Sequence, residues 1–313
     1  MFNSTHTLAG IAVSRAGAER WAPYATWTAI IASNLPDADS VFGFLGTATY
    51  LEQHRGLSHS IIGIPILSLA VALVMRWLAA KRRKAPVPLF NHFGIAFLAM
   101  ATHPFLDLAN PYGLRPFLPF SSTWFYGDTL FIFDPILDFV LLTGVIAASR
   151  AATRRAMTIA LTTALVLGYA GLRVELHRRA VALVPREVQK FTVVPTMLDP
   201  FLWTALLDTD KEIVSATIEV RSSTLTEDGV MVRATQSPAI DAAEKTESVK
   251  ALRRFARLTV ERVEPTSTGF DVYVIDVRFY RPQLGRALAV KVSLDRSLNV
   301  LSESLSFTLP VQQ

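Results

Sequence analysis

Cysteine is missing from this chain of 313 residues, which excludes disulfides and thiolate-bound zinc and is compatible with an oxidising compartment. Charge is scarce as well. Asp, Glu, Lys and Arg make up 18% of the residues, against about 25% in ordinary soluble domains. Acidic side chains are few before residue 184 and sit among apolar ones, whereas the rest of the chain has a normal mixture. Residues 1–8 lack the basic n-region of a secretory signal, so the start reads as mature sequence. Histidine is sparse: there are six, none after His177. A metal site confined to the tail is therefore not expected.

Apolar sequence is abundant, at 51% hydrophobic residues and a mean hydropathy of +0.34. A membrane span needs about 20 such residues in a row. Residues 61–80 meet that requirement and run straight into Lys81, Arg82, Arg83 and Lys84. Residues 89–106, 129–148 and 157–176 are further candidates, and 5–15 and 21–35 are thinner ones. The expected fold is an α-helical polytopic membrane domain of about four to six helices over residues 1–184. A small α+β extramembrane domain with an antiparallel sheet follows over residues 185–313. Its strands are expected from alternating apolar and polar residues at 212–220, 230–234, 257–263, 269–280, 287–294 and 299–307. One helix is expected within 239–255, with Ser248 as a cap. A formal charge of +5 and a pI near 9.6 do not indicate nucleic acid as a partner, because the basic runs abut apolar segments and topology accounts for them.

Basic residues favour the cytoplasmic side of short loops. Placing Lys81 to Lys84 inside also puts Arg150, Arg154 and Arg155 inside, leaves Arg173, Arg178 and Arg179 as exceptions, and makes the tail extracytoplasmic. Histidines and aspartates from separate segments then fall at one outer membrane level: His6, Asp37, Asp39, His54, His59, His103, Asp107, Asp134 and Asp138. Ionisable groups near spans are costly and mark function by default. His92 and His177 fall outside this set and read as structural.

The spacings suit metal chemistry. His103 and Asp107 stand at i and i+4, as do Asp134 and Asp138, so each pair shares a helix face. Asp37 and Asp39 flank one residue in a loop containing proline. Mixed imidazole and carboxylate donors suit zinc, manganese or iron. Nine candidates exceed the needs of one tetrahedral ion, so two ions bridged by an aspartate are one expectation, with the surplus residues as ligand-orienting groups or a general base. Taken singly, each motif has a plainer reading. DPILD reads as an N-cap with proline in the first turn, NLPDADS as a turn, and HRGLSHS as a helix start capped by Ser58. A proton- or ion-coupled transporter is the competing class, but its polar residues should run through the depth of the helices, often in inverted repeats. Here they crowd one end.

STHTLAG, NLPDADS, HRGLSHS, HPFLDLANPYG and DPILD, in that order over residues 1–150, resemble the membrane-bound metal-dependent hydrolase family. These are bacterial inner-membrane proteins, some of them under LexA control. VPTMLDPFLWTALLDTDKEI, residues 194–213, is similar to the segment that opens an extra domain in many members. The resemblance implies a multi-pass protein of the bacterial inner membrane and a metal-dependent hydrolase. It places ligands at His6, Asp37, Asp39, His54, His59, His103 and Asp107, with Asp134 and Asp138 as additions. A distant similarity to zinc-dependent phospholipases C suggests phosphoesters. The expectation is hydrolysis of a lipid-like or small-molecule ester at the bilayer, with one or two divalent ions, zinc first and manganese second. Asp138 or Asp39 would take a proton, and Arg55 would bind a phosphate or carboxylate of the substrate. Asn110 and Tyr112 would shape the outer mouth, and ordinary turn chemistry accounts for them equally well.

Overall fold

A computed structural model describes residues 1–209, 211–281 and 286–308. Its helices, in chain order, are α1 (Asn3–Arg15), α2 (Ala25–Asn34), α3 (Thr47–Gln53), α4 (Gly63–Lys81), α5 (Leu89–Leu108), α6 (Pro135–Arg150), α7 (Arg155–Ala182), α8 (Pro238–Glu244) and α9 (Glu247–Phe255). The chain divides into two compact units. One comprises Met1–Asp39, Arg55–Arg178 and Pro195–Pro200; the other comprises Ser40–His54, Arg179–Val194 and Phe201–Gln313.

Among the described residues, α4, α5 and α7 are the three helices long and apolar enough to cross a membrane. The apolar run at 129–148 becomes a helix later than expected. Asp134 is extended and its side chain accepts the Leu137 N–H at 3.0 Å, and Pro135 occupies the first helical position. That pairing of cap and proline sets the helix start. Thr129 and Leu130, upstream of it, donate their N–H groups to the Ala109 carbonyl instead. The thin N-terminal candidates are α1 and α2, of 13 and 10 residues.

Small side chains let these helices approach closely. Ala25, Ala29 and Ala32 of α2 pack with Ile64, Val71 and Met75 of α4 and Ile95, Ala96, Ala99 and Met100 of α5 in one buried cluster. A second cluster joins Met1, Leu130, Leu137 and Leu141, flanked by Leu106 of α5 and Val166 of α7. Gly10 is where α1 meets α2: a Cβ there would overlap the Ser33 hydroxyl and lie 2.7 Å from the Ala29 carbonyl oxygen.

The second unit contains two four-stranded antiparallel sheets rather than one. β1 (Lys190–Pro195), β2 (Leu202–Asp208), β3 (Glu212–Glu219) and β4 (Thr224–Val232) form the first, in sequential order. β5 (Thr259–Pro265), β6 (Gly269–Arg281), β7 (Arg286–Asp295) and β8 (Val300–Thr308) form the second. Leu206 and Ile213 of the first sheet share a core with Val260, Tyr273 and Ile275 of the second and with Leu258 just before β5. The single helix expected over 239–255 is broken at Lys245 and Thr246. Thr246, not Ser248, caps α9 by accepting the Val249 N–H. A buried ion pair, Asp276 with Arg278 at 2.6 Å, holds Arg278 against Phe255 and Phe279.

These packings give a direct test. Gly10→Ala should destabilise the protein by about 1–3 kcal/mol, the usual cost of overpacking a tight contact. Gly168→Ala on α7, where an added Cβ meets nothing within 4 Å, should be neutral or stabilise by about 0.5–1 kcal/mol through helix propensity. Thermal unfolding of both variants in detergent, followed by intrinsic fluorescence, checks the opposite signs.

Candidate metal centre

Three segments of the first unit bring four side chains together. Asp37 comes from the turn of 3-10 helix Leu35–Leu45 that follows α2. His59 comes from the short 3-10 turn Leu57–His59 that leads into α4. His103 and Asp107 lie one turn apart near the end of α5. One donor atom from each of the four lies within 4.8 Å of the others, and this is a group that could hold a metal ion. His59, His103 and Asp107 are buried, while the Asp37 side chain keeps 17% of its exposure.

The donor spacing is informative. His59 Nε2 lies 3.0 Å from His103 Nε2, 3.6 Å from Asp37 Oδ1 and 3.4 Å from Asp107 Oδ2. His103 Nε2 lies 3.4 Å from both Asp37 Oδ1 and Asp107 Oδ2. A tetrahedral ion with bonds of about 2.0–2.1 Å places its donors about 3.3–3.4 Å apart. The residues present therefore fit one such ion.

The surroundings turn each donor inward. His103 Nδ1 is 2.7 Å from the Ser33 carbonyl oxygen, which can only accept, so Nδ1 carries the proton and Nε2 offers its lone pair. His59 Nδ1 sits 2.9 Å from the Ser58 hydroxyl and 3.4 Å from Asp39 Oδ2. Asp39 in turn accepts the Ser58 hydroxyl at 2.7 Å and the Arg55 N–H at 2.9 Å. For Asp107, Arg55 Nη2 at 3.2 Å and Asn110 Nδ2 at 3.3 Å hold Oδ1, so Oδ2 faces the histidines. The Met1 amino nitrogen also contacts Oδ1.

Electrostatics agree with a site built for a cation. Burial alone would raise the Asp37 carboxyl, but hydrogen bonds from His103 and His59 hold it well below the usual carboxylate range. Burial likewise opposes charge on His59, yet Asp107, Asp37 and Asp39 raise its imidazole to about 10. His6, in α1, stacks on His103 with ring centroids 3.6 Å apart and places Nε2 3.5 Å from Asp107 Oδ1. Burial lowers its imidazole to about 4. Both His6 ring nitrogens lack a hydrogen-bond partner among the described residues. A neutral, buried imidazole with two unmet nitrogens is a further donor at the edge of the group.

Other residues of the expected set have different surroundings. His54 ends α3 in the second unit, where its ring stacks on Tyr50 at 5.0 Å. Asp39 stands behind His59, at the ring nitrogen opposite the cluster. Asp134 caps α6 and accepts the Tyr169 hydroxyl at 2.9 Å. Asp138 accepts the Thr5 and Ser4 hydroxyls at 2.5 and 3.0 Å. Arg55 is buried; its guanidinium joins Asn110, Asp107 and the Tyr112 ring. Sequence reasoning missed the Ser33 carbonyl, since backbone oxygens leave no residue-type signal. In the sequence Ser58 reads as a cap and Asn110 as a mouth or turn residue, although Asn110 lies three positions after Asp107.

Residues 1–179 match the model of a family described as YdjM inner membrane protein. The chain is also 26% identical over 210 residues to an uncharacterized protein, YfhP, of Bacillus subtilis (strain 168). That match covers 63% of this chain and 62% of the relative, so the chain spans less than two thirds of the relative's length. No solved structure matches.

Two outcomes follow for purified protein. Asp39→Asn should weaken divalent-metal affinity by about 10–100-fold, the usual cost of losing a ligand-orienting group, while His54→Ala and Asp134→Asn should leave it within about twofold, the context scatter of such effects. The His59 proton must leave before Nε2 can bind a metal, and it is held up to about pH 10. Affinity should therefore rise with pH, by about tenfold per unit for one displaced proton, between pH 7 and 9. Chelator competition at pH 7, 8 and 9 reads both effects, and a flat profile removes His59 from the donor set.

Proposed function

The chain belongs to the YdjM inner membrane protein family, and on that premise we propose that it is a membrane-embedded metal-dependent hydrolase. One observation carries the reading: two imidazole nitrogens and two carboxylate oxygens, from three separate segments, lie within 4.8 Å of one another beside membrane-length helices, five of their six separations between 3.0 and 3.6 Å. Asp37, His59, His103 and Asp107 hold one divalent ion, with His6 as an adjacent donor. The two-nitrogen, two-oxygen set favours zinc, with manganese second. A divalent ion there supplies Lewis-acid polarisation of an ester oxygen and a water acidic enough to ionise near neutral pH.

The chain's own residues do the rest. Asp37 is the donor that solvent still reaches, so water approaches on its side. Asp39, held by the Arg55 N–H and Ser58, keeps the His59 ring oriented. Arg55 balances the charge of Asp107 and so keeps Oδ2 directed at the histidines. The substrate is a lipid-like ester, with phosphoesters first because a clustered divalent site suits their charge. In this reading the basic run Lys81 to Lys84 after α4 lies in the cytoplasm, with the four donors at the opposite, outer face and the C-terminal unit outside the cytoplasm.

Metal analysis of detergent-purified protein tests the centre. Wild type should carry stoichiometric zinc or manganese, and both His59→Ala and Asp37→Ala should lose it. In a screen of phospholipids and lipid phosphates, turnover should drop to the uncatalysed background in the same two variants. Freshly purified wild type without metal would refute the proposal. A periplasm-dependent reporter fused at Val184 should be active; an active cytoplasmic reporter at that position reverses the topology.

A further inference from the structure

A cavity of about 290 Å3 lies between α4 and α5, at the small end of the range for ligand pockets, about 300–1,000 Å3. Ile64 of α4 lines it with Phe97, Ala101 and Phe105 of α5 and Leu114 of the following loop. The remaining walls are apolar as well, except at one end, where His59 and Ser60 enter the lining. The Ser60 hydroxyl already donates its proton to the Leu57 carbonyl at 2.8 Å and accepts the Gly63 N–H at 2.9 Å, so it has no proton left to donate to a ligand. His59 belongs to the four-donor group. The cavity is therefore a hydrocarbon slot that touches the four-donor group at His59.

Its position decides the occupant. Both walls are membrane-length helices, and their outward faces are bare and apolar: Ile66, Leu69 and Leu73 on α4, Phe90 and Phe105 on α5. Hydrocarbon bathes such faces in a bilayer. A water-soluble substrate would leave the slot without a polar partner to recognise. We infer that the cavity takes one hydrocarbon chain of an amphiphilic substrate, which enters sideways from the bilayer between α4 and α5 and sets its head group against Asp37, His59, His103 and Asp107. The head-group half of this inference rests on the proposed hydrolase reading; the chain half rests on the cavity alone.

The test separates the two. Purified, metal-loaded protein is irradiated with a dodecyl phosphate bearing a diazirine at the far end of its chain, and the label is mapped by mass spectrometry. Label should concentrate on Ile64, Phe97 and Ala101 and be suppressed by excess unlabelled dodecyl phosphate. Ala101→Trp, which fills the slot, should lower that competed labelling at least tenfold while bound metal stays at the wild-type level. Should Ala101→Trp fail to fold, Phe97→Trp on the more exposed wall carries the same expectation. Phe97→Ala, which lengthens the slot, should shift preference toward a longer alkyl phosphate. Label spread over the outer faces of α4, α5 and α7 without competition overturns the inference. Equal competition by dodecanol would make the slot a structural lipid site and overturn the substrate assignment. Labelling needs no turnover, so competed labelling without hydrolysis refutes only the enzyme, and hydrolysis with uncompeted labelling refutes only the chain slot.

Discussion

An ionised carboxylate cut off from solvent costs several kcal/mol unless its neighbours compensate, and Asp107 stands in that position at the end of a membrane-length helix. Much of the first unit's polar chemistry follows from meeting that cost. Arg55 and Asn110 take one oxygen, and His59 and His103 face the other. Arg55, which reaches Asp107, has its backbone in the left-handed region, φ 53°, which non-glycine residues seldom adopt and which recurs at functional sites. The same turn spends the Arg55 N–H on Asp39, and Asp39 then orients His59. One buried charge thus ties the loop after α2, the turn before α4 and the end of α5 into a single arrangement.

How much of this was legible depends on the kind of signal each residue leaves. The i, i+4 spacing of His103 and Asp107 survives folding because a continuous helix preserves it. NLPDADS and HRGLSHS each contained one residue of the cluster, but which one was a matter of backbone geometry. His54 closes α3 and His59 closes a 3-10 turn, and Gly56 between them marks a change of direction without telling which histidine turns inward. DPILD shows the reverse case. Its plain reading, an N-cap followed by proline, matches the hydrogen bonds that Asp134 makes, and the polar run of Ser4 and Thr5 takes up Asp138.

In the C-terminal unit, alternation identified strands because a half-buried strand must alternate. It carried no information on how they divide into sheets, since pairing depends on contacts distant in sequence. The shared core of Leu206, Ile213, Val260 and Ile275 is what joins the two sheets. The break between α8 and α9 comes from Thr246, a capping residue inside an otherwise helical pattern.

The late start of α6 has a consequence for the membrane itself. Its sixteen residues rise about 24 Å, roughly 6 Å short of a typical hydrocarbon core, so α6 stands outside the set of described helices long enough to cross one. Its apolar wall of Phe139, Leu142 and Ile146 therefore needs less than a full bilayer thickness of hydrocarbon to cover it.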